Sequence, residues 1–324
     1  EKVYSLEPVP AALTAEQAKH ILGAQANLWT EYILTPEHAE YMILPRIAAL
    51  CEVQWTQPEK KDFQDFAKRL VSLMKLYQRD GLNYAKHIFN LKAAFTPDAA
   101  NKTINVTLGT VDDAPIYYTL DGTEPTTAST LYDGQPVTIS QTAGFCAVAI
   151  RPEGNSKVVK RDIDFNKATL CPITLTGQQP AANYAYDGAI TLVDGMKGSN
   201  SYTNGAWLGF IGGDVTAVID LGAPTEIQHV AINANISMDN WIMGCKGLEV
   251  AVSDDNETFR PVSSMVFPDE TDLHKNDIET YEASFNPVEA RYVKVTARPF
   301  AALPKGHDGA GKAPYLFIDE ISID

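Results

Sequence analysis

Gly23-Ala24-Gln25-Ala26-Asn27-Leu28-Trp29-Thr30-Glu31-Tyr32 is the stretch around which the chain reads. Gly23–Leu28 is short, apolar and strand-like, and it delivers an aromatic and a carboxylate, Trp29 and Glu31, at its end. Residues two apart at the end of a strand point to one side. An indole face is a platform for the C–H face of a pyranose ring, and a carboxylate beside it accepts hydroxyls in charge-assisted hydrogen bonds. A core tryptophan followed by a solvated glutamate at a helix start fits the same spacing.

On either side of this stretch the first 95 residues are helical in character. Thr14-Ala15-Glu16-Gln17 is a capping box opening a short helix. Thr35-Pro36 starts a second helical run with proline at its first position, and Pro45 interrupts that run and restarts it to about Val53. Tyr41–Leu44 and Ile47–Leu50 are apolar almost all round, the pattern of a helix covered on more than one side. Cys51, in the same helix, reads as a buried free thiol. Thr56-Gln57-Pro58-Glu59 reads as a second capping box. The helix it opens carries Phe63, Phe66, Ala67, Leu70, Met74 and Tyr77 on one face and ends at Asp80-Gly81.

Thr96-Pro97 marks a break, and the period then changes to two: Ile104-Val106-Leu108, Ile116-Tyr118-Leu120, Val137-Ile139, Phe145-Ala147-Ala149. With Asp121-Gly122 as a tight turn, this reads as a small β-sandwich. Asn166–Pro180 is a linker. Beyond it, strands are expected at Val215–Leu221, Ile227–Asn235, Leu248–Val252, Glu279–Phe285, Tyr292–Ala297 and Leu316–Ile323, with Ser253-Asp254-Asp255-Asn256-Glu257 as a turn cluster.

The 324 residues carry a net charge of −15, the wrong sign for nucleic acid but compatible with neutral ligands such as sugars. No apolar run reaches the ~18 residues of a membrane span. No signal peptide is seen, and a start at Glu1 without methionine suits a processed or truncated product. The four cysteines have no metal-binding spacing, and a Cys146–Cys171 pairing in an oxidising compartment stays open.

Residues 1–90 resemble the C-terminal end of the catalytic barrel of family 20 glycoside hydrolases, the β-N-acetylhexosaminidases. The matching words are Val3-Tyr4, Glu7-Pro8-Val9-Pro10, Gly23 to Tyr32, Tyr41-Met42 and Leu44-Pro45-Arg46 through Gln54-Trp55. The resemblance implies that Trp29 walls the subsite for an N-acetylglucosamine ring. It implies that Glu31 binds the hydroxyls on carbons 4 and 6. It also implies a retaining mechanism in which the substrate's acetamido oxygen is the nucleophile and an Asp-Glu pair orients the acetamide and supplies the acid. The only Asp-Glu pairs here, Asp269-Glu270 and Asp319-Glu320, lie far downstream in another context. About six of the eight barrel units are absent, so the chain alone is expected to be inactive.

The second segment, with Ile116-Tyr117-Tyr118-Thr119-Leu120-Asp121-Gly122-Thr123-Glu124-Pro125-Thr126, resembles the immunoglobulin-like domain that follows such barrels. The third resembles the discoidin, or factor 5/8 type C, fold shared with carbohydrate-binding module family 32. Its matching words are Leu192-Val193-Asp194-Gly195, Trp207-Leu208-Gly209-Phe210, Ala217 to Gly222, Val250 to Phe259, and Phe317-Ile318-Asp319-Glu320-Ile321. This second likeness implies a calcium ion held by Asp194 and Glu320, with backbone carbonyls and Asn200 or Thr203 completing the shell. Without a metal, Asp194 is a turn residue and Glu320 is bonded to the loop. Sugar-binding candidates in the loops are Trp241, His307 and Tyr315, with Tyr202 and Asn240 beside them; Trp207 is expected in the core.

The expected architecture is a mostly helical remnant of a (β/α)8 barrel at 1–95, an immunoglobulin-like sandwich at 96–168 and a discoidin-like jelly roll at 169–324. The expected function is that of the C-terminal part of an exported β-N-acetylhexosaminidase removing terminal N-acetylhexosamine from glycans. Its partners are those glycans and the missing part of the barrel; nucleic acid and membrane span are excluded. A stand-alone carbohydrate-binding or adhesion protein is the alternative.

Overall fold

The computed structural model describes residues 1–152 and 154–324. In the first region, helix α1 (Ala15–Ala18) carries the expected capping box, with Gln17 N–H donating to Thr14 Oγ1 and Thr14 N–H to Gln17 Oε1. Helix α2 (Pro36–Ile43) starts on the Thr35 cap, and α3 (Arg46–Trp55) restarts after Pro45. Helix α4 (Phe63–Arg79) departs from expectation. Its cap is Asp62, which accepts from Gln64 N–H (2.8 Å) and Asp65 N–H (3.1 Å), while Pro58–Lys60 makes only a single 3-10 turn. A carboxylate at the positive end of a long helix outcompetes the threonine upstream.

These helices meet along one seam of Tyr4, Ala49, Val53, Phe66, Leu70, Met74 and Tyr84. Tyr4 stacks on Phe66 at 4.8 Å, and its hydroxyl donates to Glu52 (3.2 Å) and accepts from Asp62 N–H (3.0 Å). Gly23–Leu28 is not a strand: it has no regular structure, because no neighbouring strand offers it a ladder. Cys51 is exposed, not buried, since the seam covers only one side of α3.

The second module is a seven-stranded, two-sheet sandwich. Strands β1 (Lys92–Asp98), β2 (Thr103–Gly109) and β5 (Val137–Ile139) form one sheet. Strands β4 (Thr130–Leu131), β3 (Ile116–Thr119), β6 (Ala143–Ala149) and β7 (Val159–Ile163) form the other. The period-two residues Ile104, Val106, Ile139, Phe145, Ala147 and Ala149 fill the space between them, as alternation requires. The module begins at Lys92, a few residues before Thr96, because β1 pairs along its whole length with β2. Arg151, with its side chain only 9 % exposed, closes one end through a two-bonded ion pair with Asp112 (2.7 Å each).

The third module holds β8 (Ile173–Leu175), β9 (Leu208–Ile211), β10 (Val215–Ser237), β11 (Cys245–Ser253), β12 (Arg260–Val266), β13 (Asn276–Pro299) and β14 (Tyr315–Ile323). Four of the expected strands prove to be two. Strands β10 and β13 run through Pro224 and Pro287, absorbing these prolines at register shifts between Asp220 and Thr225 and between Ile227 and His229. Each long strand therefore serves both layers. The first half of β10 pairs with β8 and the second half of β13, which in turn carries β11 and β12. The second half of β10 pairs with the first half of β13 and with β14, and β14 pairs with β9. This is the discoidin-like jelly roll, packed around Leu192, Phe210, Ile219, Val230, Val250, Val293 and Leu316. Trp207 is fully buried, with its Nε1 donating to Ser199 O (2.9 Å).

Candidate functional site

Trp29 and Glu31 lie in irregular backbone, and the Trp29 side chain is 79 % exposed. Without the strand, period two does not align them. Both Asp-Glu pairs are used inside the third module. Asp269 and Glu270 bond Lys246 and Lys275, and Asp319 and Glu320 are buried. An acid pair of the kind a glycosidase needs is not brought to Trp29.

The three loop candidates of the third module occupy different environments. Trp241 sits in the left-handed region (φ 64°) at the end of the short turn Met238–Asn240. It packs on Ile236, Met238, Met243 and Leu303, with the Lys312 ammonium 4.7 Å from its ring centre. Gly309 approaches it so closely that a Cβ there would meet the indole at 2.8 Å. His307 is buried: Nε2 lies 2.8 Å from Met238 O, and Nδ1 accepts from Gly309 N–H (3.0 Å). The glycine-rich loop is thus anchored by its histidine rather than loose. Tyr315 opens β14 and is half-buried in an edge-to-face group with Tyr184 (5.7 Å), next to Phe317; Tyr202 meets Tyr184 and Phe317 in the same way. Asn240 donates to Ser237 Oγ (2.9 Å).

A denser chemical feature lies at the start of the module. On β14, Ile318 pairs with Ala234 and Ile321 with Ile232, so three steps on β14 face two on β10. The extra residue is a bulge at Asp319-Glu320, which lets adjacent carboxylates approach one loop. Glu320 Oε2 accepts from Gly195 N–H (3.0 Å), Asp319 Oδ2 from Gly198 N–H (2.7 Å), and Asp194 Oδ1 from Met196 N–H (2.8 Å). Burial pushes Asp194 up to about 7, despite the Met196 N–H that opposes it, and Asp319 likewise up to about 7. Burial also raises Glu320 well above the ordinary carboxylate range, reinforced by the charges of Asp194 and Asp319. Asp319 Oδ1 is buried without a hydrogen-bond partner; Glu320 Oε1 makes no bond of ordinary geometry, and the Asn166 side-chain amide lies against the same carboxyl.

Buried, unpartnered carboxylate oxygens fit a hard cation. Among the described residues no set of three or more His, Cys, Asp or Glu side chains closes into a metal cage, so a cation here would draw further ligands from backbone carbonyls. Thr203 is exposed and meets Ser201 Oγ, and the Asn200 carbonyl takes the Asn235 amide at 3.5 Å. The sequence flagged Asp194 and Glu320 but not Asp319, whose approach depends on the bulge. Cys146 and Cys171 are both free and buried, and Lys102 Nζ lies 3.2 Å from Cys171 Sγ.

Comparison with known proteins gives three matches in chain order. The model of the glycosyl hydrolase family 20 catalytic domain matches residues 1–58, that of the chitobiase/beta-hexosaminidase C-terminal domain residues 96–161, and that of the F5/8 type C domain residues 174–307. A beta-hexosaminidase of Porphyromonas gingivalis is 36% identical over 167 residues, which cover 50% of this chain and 21% of that protein. A beta-N-acetylhexosaminidase of Cellulomonas fimi is 34% identical over 64 residues, covering 20% of this chain and 13% of that protein. The chain thus spans about a fifth or less of the length of these relatives. Among solved structures, a chitosan-binding module from a Paenibacillus chitosanase/glucanase superposes with a TM-score of 0.31 at 14% identity, over 49% of this chain and 98% of the module. A Clostridium perfringens module in complex with GalNAc-beta-1,3-galactose gives 0.29 at 17%, over 47% and 94%. Module by module, the chain is similar to the end of a family 20 glycosyl hydrolase catalytic domain, to a chitobiase/beta-hexosaminidase C-terminal domain and to an F5/8 type C domain.

Proposed function

We propose that this chain is the C-terminal portion of an exported β-N-acetylhexosaminidase and that its first region completes a barrel supplied by the rest of that protein. The observation that carries this reading is the uncovered apolar surface of residues 21–55. Trp29, Tyr32, Leu34 and Trp55 stand almost free in a region whose only core is one seam. So large an apolar display expects a partner surface. In the completed barrel Trp29 stacks on the N-acetylhexosamine ring and Glu31 accepts two of its hydroxyls, while the acid and acetamide-orienting carboxylates come from outside this chain. The test compares this chain and the longer gene product on a chromogenic N-acetylglucosaminide. Turnover only by the longer protein, lost on Glu31→Gln, supports the reading; turnover by this chain alone overturns it.

The third module is assigned a glycan-holding role through the half-buried aromatic group at Tyr315 and the neighbouring Trp241, together with a structural calcium at Asp194 and Glu320. Calcium there would neutralise carboxylates that burial otherwise opposes. Loss of glycan binding on Tyr315→Ala and Trp241→Ala, in variants that still unfold cooperatively though at a lower temperature, is the expected result; binding unaffected by both removes this role. Among the described residues no helix is long and apolar enough to cross a membrane.

A further inference from the structure

We infer that a cation at Asp194 and Glu320 locks the joint between the second and third modules, so that the two modules move as one body when it is bound and flex when it is absent. The inference rests on the calcium reading above and adds what that site controls.

The loop that carries Asp194 faces two ways. Toward the third module its N–H groups meet carboxylates: Gly195 N–H donates to Glu320 and Gly198 N–H to Asp319. Toward the second module its carbonyls take the chain that leaves β7. Asp164 N–H donates to Gly195 O (2.8 Å), Leu170 N–H to Val193 O (2.7 Å), and Arg161 Nη1 to Lys197 O (3.2 Å). Ile163, the last residue of β7, bridges to Met196, and Lys197 Nζ lies 3.1 Å from Asp164 Oδ2. Gly195 is therefore the link itself, with its N–H on Glu320 and its C=O on Asp164. Its φ of 74° and the 3.0 Å approach of an added Cβ to Asp164 O explain why glycine stands there.

Packing repeats the pattern. Met196 leans on the second module's core, and Ile190 leans on the cores of both modules. The connecting segment closes the circuit. Asn166 Oδ1 accepts from Ile323 N–H (3.2 Å) on β14, three residues beyond Glu320, and Lys167 N–H donates to Ile323 O (3.0 Å). The Asn166 side-chain amide also lies against the Glu320 carboxyl, so the connecting segment touches the acidic group itself.

Asp194, Asp319 and Glu320 crowd their carboxyl groups into a site stripped of water, where Asp319 Oδ1 has no partner, and opening the loop hydrates them. That opening must also release the Asp164 and Leu170 amides, because the same loop residues hold them. A cation held by these oxygens is lost on opening, so it disfavours the open joint by mass action.

The test is amide hydrogen exchange, read by mass spectrometry on a peptide spanning residues 161–172, in the full chain after chelation and after adding calcium. Calorimetric titration is run alongside. At a calcium concentration of about 100 times Kd, exchange in this peptide should slow by roughly a hundredfold. Glu320→Gln, which keeps an acceptor for Gly195, should abolish both the heat and the slowing; Asp194→Asn serves if that variant fails to fold. Heat of binding with no change in the joint peptide overturns the joint inference and leaves the calcium reading intact. Absence of heat overturns both.

Discussion

Trp55 and Trp207 belong to the same residue type and to opposite regimes. Trp207 is fully buried in the third module, while Trp55, at the end of α3, is 92 % exposed. The third module contains both layers of its sandwich, so the inner faces of its sheets cover one another, and its most exposed large apolar side chain is Val266 at the end of edge strand β12. The first region contains one seam, and the remaining faces of α3 and of the segment before it have no partner within the chain. A burial pattern thus depends on whether the opposing layer is present, not on how apolar the stretch is. The sharpest way to break this comparison is to truncate both residues. Trp207→Ala should cost about 3–5 kcal/mol in the third module's unfolding transition. Trp55→Ala should stay within about 0.5 kcal/mol in the isolated chain. Comparable losses in chemical denaturation would mean that Trp55 has a partner inside this chain after all.

The same contrast holds for charge. Arg151 and Asp112 are buried together in the second module, whereas the Arg69 side chain, paired with Glu52 and Asp65, is half in water. Arg151→Ala strands a buried carboxylate and should cost about 3 kcal/mol. Arg69→Ala should cost no more than about 1 kcal/mol, since exposed pairs gain little. Equal losses in a denaturation series would show that the first region is as dry as the second.

How much of this was legible follows from which features are local. The period-two pattern of the second module is set by neighbours in sequence, and the structure places these residues between the sheets except Leu120, which lies past the end of β3 and is 41 % exposed. The Ser253 turn is local as well: Ser253 Oγ and Asp255 Oδ1 take the following N–H groups. The rest depends on partners. Gly23–Leu28 has strand composition but no ladder, and Cys51 has a core-like helix but no cover. Pro224 and Pro287 look like strand ends because a sequence does not show a bulge absorbing them. Asp319 joins Asp194 and Glu320 only because β14 has one residue more than β10 across that span. The same Asp-Glu pair, set aside as out of context for catalysis, proves to be part of the densest acidic feature in the third module.

Acidity should move the two sandwiches in opposite directions, a smaller effect but one of sign. Asp194 and Asp319 hold their protons to about 7 in the folded, metal-free chain, well above the range of about 4 for unfolded carboxylates. The folded state therefore binds more protons between these values, and the third module should lose stability as pH rises from about 4 to 7. Asp112 runs the other way. Burial raises it, but the hydrogen bonds and charge of Arg151 outweigh burial and hold it below the ordinary range. Its contribution is present above pH of about 4 and lost as pH falls through its folded value. Scanning calorimetry of the chelated chain should find the third module's transition higher at pH 5 than at pH 7. The second module's transition should fall only under more acid conditions. A third module whose transition does not move between pH 5 and 7 without metal would mean its carboxylates are solvated.

The smallest effect lies back in the first region. Helix α4 is held at its start by one side chain, Asp62, whose Oδ1 takes two otherwise unpaired N–H groups. Asp62→Ala should cost about 1 kcal/mol, and Asp62→Asn, which keeps the acceptor and loses the charge at the helix's positive end, about half of that. Because Tyr4 also bonds the Asp62 backbone N–H, the cap fixes the seam's main aromatic as well as the helix. Thr56→Ala is the control: if Thr56 rather than Asp62 starts the helix, the two losses in thermal unfolding exchange places. In the longer protein the Asp62→Ala loss should be unchanged, since the cap is local, whereas Trp55→Ala should become costly once a partner layer covers it. That divergence between a local and a partner-dependent residue separates a region folded by its own seam from one completed by the rest of a barrel.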